Sequence, residues 1–183
     1  MDRKQLLEKI IAREAAMFIA VKASEPADCQ EMLKTFYLMR EMSHSVLAAD
    51  TLTSYLQDLE TPAAAGRNLM TEKYARMENL IPSLNENELI YKIVDIERKW
   101  LSEVHKKYPL TIAVEGGFTT YAVCELETYS DATLNLYYRD IFLAATQKRN
   151  LVEERYQYLY GNLGFKDLEE VEALAQKRAA VKE

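Results

Sequence analysis

The chain has 183 residues, enough for one domain or for two small ones that share a core. With 49% hydrophobic and 28% charged residues it can build a substantial interior, which excludes a disordered tail. A net charge of -6, from 29 acids and 23 bases, argues against a dedicated nucleic-acid surface.

No apolar run approaches the roughly 18 uncharged residues of a membrane-spanning helix. Acids at Asp2 and Glu8 interrupt what would be the apolar part of a secretion signal. Cys29 and Cys124 are too few for a disulfide scaffold and read as reduced thiols. A cytoplasmic protein is therefore expected. Only five glycines and four prolines leave few breaks, which points to helices.

Residues 3–22 repeat apolar side chains at Leu6, Leu7, Ile10, Ile11, Met17, Phe18 and Val21, one stripe of a helix. Ala23 to Ala27 break it, and Asp28 with Glu31 resembles a capping box for a second helix ending near Ala48. A third is expected over about 51–65, closed by Gly66 in a left-handed cap, with Pro62 as a potential break. Asn68 reads as the cap of a fourth, 69–79. Asn85 with Glu88 opens a fifth over about 86–106, followed by helices near 117–129, 132–147 and 151–161. A ninth, charged helix runs from Asp167 to Ala180. The one strand candidate is Thr111-Ile112-Ala113-Val114. The fold class is all-α.

The chain also repeats itself. Shifting residues 51–74 by 82 positions matches Thr51 with Thr133, Leu52 with Leu134, Tyr55 with Tyr137, Asp58 with Asp140 and Ala63 with Ala145. Arg67-Asn68-Leu69 then meets Arg149-Asn150-Leu151, Glu72 meets Glu154 and Tyr74 meets Tyr156. A shift of 83 aligns Ile10, Glu14, Met17, Phe18 and Val21 with Ile93, Glu97, Trp100, Leu101 and Val104. We expect a single domain over 1–183 made of two duplicated four-helix units, 1–82 and 85–165, packed about a pseudo-two-fold axis. Residues 167–183 follow as a surface helix. In the repeated joints, Asn caps the next helix and Arg is expected to pair with Asp58 or Asp140, or with carbonyls.

Polar residues in apolar stripes mark the candidate site. Glu14 lies between Ile10/Ile11 and Met17/Phe18, and Glu97 between Ile93 and Trp100/Leu101. A buried carboxylate without a partner costs several kcal/mol or becomes protonated. Arg40 and His44 share one face of the second helix, and Arg has no neutral form to adopt. The corresponding face of the second half carries Glu125 and Tyr129. Glu14, Arg40, His44, Glu97, Glu125 and Tyr129 are therefore expected to converge, with both acids meeting Arg40.

Such a cluster suits binding of a small anionic ligand or acid–base catalysis on one, the guanidinium clamping a carboxylate or phosphate. A purely structural ion-pair network is the plainer account. A carboxylate-bridged metal centre is a weaker third, since Glu41-Met42-Ser43-His44 has the Glu-x-x-His form and Glu14, Glu97 and Glu127 could complete it. No other cofactor is specified. The alternative of another class is a noncatalytic helical adaptor or regulator, a homodimer through an outer tyrosine-rich face.

The stretches 35–47 (Thr35 to Leu47), 66–77 (Gly66 to Met77) and 125–131 (Glu125 to Asp131) resemble an uncharacterised bacterial family labelled only a domain of unknown function and common in anaerobes. The resemblance covers nearly the whole chain. It implies a bacterial cytoplasmic protein and assigns no catalytic residue.

Overall fold

The computed structural model describes residues 1–22, 29–114 and 116–181. Among them are nine helices and no strand: α1 (Arg3–Lys22), α2 (Cys29–His44), α3 (Ala49–Ala64), α4 (Leu69–Met77), α5 (Leu89–Lys107), α6 (Phe118–Leu126), α7 (Asp131–Thr146), α8 (Leu151–Asn162) and α9 (Leu168–Ala180). The expected break at Ala23–Ala27 and the Asp28 cap lie outside the described residues.

Capping side chains set most of the helix starts. Asn68 accepts hydrogen bonds from Met70 N and Thr71 N, Ser130 from Thr133 N, Asn150 from Glu153 N and Asp167 from Glu170 N. The start of α5 differs from expectation. Asn85 accepts from Asn87 N, and Asn87 accepts from Leu89 N, so two Asx turns occupy 85–88 and Glu88 caps nothing. α2 ends at His44 rather than Ala48, because Ser45 N and Leu47 N turn back onto Met42 O and His44 O. Asp140 then anchors the start of α3, accepting from Ala48 N and from Thr51 Oγ1 at 2.6 Å. Pro62 sits in the last turn of α3 without breaking it, and Gly66 follows at φ 75, the left-handed conformation expected.

Thr111–Val114 is not a strand. Thr111 N and Ile112 N bond back to Tyr108 O, and Glu172 of α9 accepts from Leu110 N, Thr111 N and Thr111 Oγ1. The ninth helix is thus mostly exposed but pinned by buried Leu168 and Glu172. At the end of α5, His105 has Nδ1 at 2.6 Å from Ile112 O.

Helix contacts run as two matching sets. α1 packs on α2, α3 and α4, while α5 packs on α6, α7 and α8. Three further contacts join the sets: α3 on α7, α2 on α8, and α4 on α6. One continuous core collects Leu6, Ile10, Leu52, Ile90, Ile93, Leu134, Ile141 and Leu168, among others. Each such side chain contributes roughly 1.5–3 kcal/mol through burial.

Hydrogen bonds recur at the positions that the sequence shifts match. Asn68 Nδ2 donates to Met17 O at 3.0 Å, and Asn150 Nδ2 to Trp100 O at 3.2 Å. The joint arginines depart from expectation: Arg67 pairs with Glu72 and Arg149 with Glu154, both within their own joints. Asp58 instead accepts from Ser130 N, and Asp140 serves α3.

Each of these asparagines caps one helix and ties it to another. Asn150→Ala is expected to lower stability by about 1 kcal/mol or more, the upper end of a lost cap. Urea denaturation measures this, and an unchanged midpoint would show that the cap and the tie to Trp100 are idle.

Candidate functional site

Glu14 is almost fully buried, and three other side chains meet it. Arg40 donates through Nε to Glu14 Oε2 at 2.9 Å and through Nη2 to Oε1 at 2.5 Å. His44 Nε2 lies 3.1 Å from the same Oε1, and Tyr55 OH donates to it at 2.6 Å. Arg40 Nη2 also reaches Glu125 Oε1, whose Oε2 accepts from Lys73 Nζ at 2.8 Å. The i, i+4 spacing of Arg40 and His44 puts both on the inner face of α2, as their positions required.

Glu97 points inward but does not meet Arg40. It pairs with Arg155 of α8, Nη2 to Oε1 at 2.8 Å, and accepts from Tyr137 OH at 2.7 Å. The expectation that both acids share one guanidinium is corrected accordingly. Two carboxylate–tyrosine–arginine groups exist instead, and Tyr129 lies between them. Its ring is 4.4 Å from that of Tyr55 and 6.3 Å from that of Tyr137.

The electrostatics fix most protonation states in this wall. Burial alone would raise the Glu14 carboxyl, but Arg40 and His44 hold it well below the usual carboxylate range. Burial opposes ionisation of Glu125 too, yet Arg40 and Lys73 bring its pKa down to about 2. Burial would weaken the Arg40 and Lys73 cations, but Glu125 together with Glu14 raises Arg40 well above its ordinary value, and Glu125 together with Tyr121 raises Lys73. Burial and neighbouring carboxylates push the Tyr55 and Tyr129 hydroxyls well above their ordinary range.

These residues face a cavity of about 580 Å³, within the range of small-molecule sites. Arg40, His44, Glu97, Glu125 and Tyr129 all line it, so five of the six expected residues share one surface, with Glu14 directly behind Arg40. Tyr137 and Arg155 complete the polar wall. The rest is largely apolar, including Met39, Met42, Met77, Leu101 and Phe118.

Sequence reasoning missed Lys73 and Arg155. Both sit inside apolar stripes, between Leu69/Met70 and Met77 and between Leu151/Val152 and Leu159. The 82-residue shift also pairs them with each other, so the rule that found Glu14 would have found them.

The residues considered for a metal do not assemble. Glu127 is buried against Arg76 Nε at 2.9 Å, Glu97 is held by Arg155, and Glu41 stays half-buried on α2. Glu14 and His44 do meet, but Arg40 fills the space beside them. Among the described residues, no three His, Cys, Asp or Glu side chains are grouped to hold a metal ion.

Comparisons with the curated proteins and with the solved structures find no match. A family model described as a protein of unknown function (DUF4125) matches residues 4–173, nearly the whole of this helical chain, and the chain belongs to that family.

Proposed function

We propose that the protein binds a small organic molecule in this cavity, with an oxyanion head at Arg40 and Tyr129 and an apolar body along the methionine and phenylalanine wall. The cavity would then lie where two duplicated four-helix units meet, in a cytoplasmic bacterial protein. One observation carries the reading. The Tyr129 hydroxyl and Arg40 Nη1 make no hydrogen bond among the described residues, yet neither is among the wholly enclosed orphan atoms. Both residues line the cavity, and we read these unpartnered donors as facing it. A hydrogen bond from such a donor to a ligand acceptor is worth about 0.5–1.5 kcal/mol net, and about 1.5–3 kcal/mol where a charged group takes part.

Binding is favoured over acid–base catalysis. General acids and bases work best when their pKa lies near the working pH. Glu14 and Glu125 are held ionised and Tyr129 protonated, so these groups orient a ligand rather than exchange protons with it. The adaptor alternative requires no cavity, and the roomy, partly polar one here counts against it.

Tyr129→Phe removes one hydroxyl and leaves the ring stack intact. It is expected to keep the unfolding free energy from urea denaturation within about 0.5 kcal/mol of the parent while weakening binding of a carboxylate ligand about tenfold. Calorimetry with hydrocinnamate and isocaproate, beside native mass spectrometry of untagged protein, reads the outcome. Equal affinity of parent and variant, or no binding of any organic carboxylate with or without an ammonium group, overturns the reading.

A further inference from the structure

Around the cavity the guanidinium and ammonium groups balance the carboxylates, all of them buried or nearly so. Arg40, Lys73 and Arg155 stand against Glu14, Glu125 and Glu97. A ligand with a single net charge would add an uncompensated ion to a poorly solvated space, which is strongly unfavourable. A molecule whose own charges cancel does not carry that penalty.

The free polar atoms are also of two kinds. At one end are donors, Arg40 Nη1 and the Tyr129 hydroxyl. At the other, Glu97 uses only Oε1, which takes both Tyr137 OH and the Arg155 pair. Glu97 Oε2 accepts no hydrogen bond among the described residues and is not an enclosed orphan, so it reaches the surface that Glu97 lines. Tyr129 stands between the two groups, its ring 4.4 Å from that of Tyr55 and 6.3 Å from that of Tyr137, and Arg40, Tyr129 and Glu97 line one cavity.

From this juxtaposition we infer that the ligand is a zwitterion with an apolar side chain, of the α-amino acid type, its carboxylate on Arg40 and Tyr129 and its ammonium on Glu97 Oε2. The assignment rests on the binding function proposed above and names its ligand class. Aromatic and aliphatic bodies both suit the wall, since Met39, Met42 and Met77 adapt to either and favour aromatic contact. No proton moves and no bond is made.

Matched probes on the unaltered full chain test it. L-phenylalanine, hydrocinnamate and phenethylamine share one body, and L-leucine, isocaproate and isoamylamine share another. Calorimetry at pH 7 is expected to give at least one zwitterion a Kd tenfold or more below those of its acid and amine partners. Glu97→Gln should erase that preference by weakening the zwitterion, while the acid, met by a wall with one spare cation, binds as well as before or better. Because that change also touches Arg155, circular dichroism must first show a folded variant; the probe series on the parent decides regardless. Acids that bind as tightly as their zwitterions overturn the ligand class and leave the binding function standing. Failure of every probe overturns both.

Discussion

Arg40→Met is expected to lower the unfolding free energy by about 3–5 kcal/mol, the largest loss from any single substitution considered for this protein. The reason is what remains after the guanidinium is gone. Glu14 is 1% exposed and loses both Arg40 hydrogen bonds, and the Glu125 side chain is left with Lys73 alone. A buried carboxylate stripped of its cation must either stay ionised in a poor dielectric or take up a proton. The loss is a large part of the roughly 5–15 kcal/mol that holds a typical domain together. Adding Glu14→Gln and Glu125→Gln to the same chain should return part of it, because the orphaned charges are then gone. Urea denaturation of the three chains measures both steps. A loss below about 1 kcal/mol would mean that the ion pairs are not formed in solution.

Acid should unfold the protein through the same groups. Both Glu14 and Glu125 bind protons less readily when folded than their ordinary value of 4.5 implies, so the unfolded chain takes up protons first as pH falls. Their stabilisation is complete above pH 4.5 and is lost as pH drops toward the folded values, about 2 for Glu125 and lower for Glu14. For Glu125 alone the loss across that window is about 3 kcal/mol. Asp50 is shifted the same way by Arg139 but is largely solvated and adds little. Glu125→Gln should flatten the dependence of the urea midpoint on pH below 4.5 while lowering stability at pH 7. An equally steep profile in the variant would place the acid sensitivity elsewhere.

How far the amino-acid order reveals these groups depends on the kind of question. Helical periodicity says which face a residue occupies, and that sufficed for Glu14, Arg40, His44 and Tyr129. It says nothing about which neighbour a buried face meets. Glu97 lies inward as its stripe position implies, yet its cation comes from α8, a helix whose own stripe holds Arg155 between Leu151 and Leu159. The joint arginines show the same limit: Arg67 and Arg149 close on glutamates five positions ahead, Glu72 and Glu154, rather than on the more distant aspartates. Helix ends were legible where one side chain caps, as at Asn68, Asn150 and Asp167. They were not at Leu89, where two successive asparagines compete to start the helix.

The partners of Arg40 are far apart along the chain, and this has a consequence for synthesis. Glu125 follows Arg40 by 85 positions. At about 5–20 residues per second, a ribosome delivers it on the order of ten seconds later. Through that interval the emerging polypeptide holds an arginine at 40, joined later by a lysine at 73, whose shared anion does not yet exist. The charged centre therefore closes only after position 125 has emerged, and the early helices wait for it in a form that chaperones can still engage.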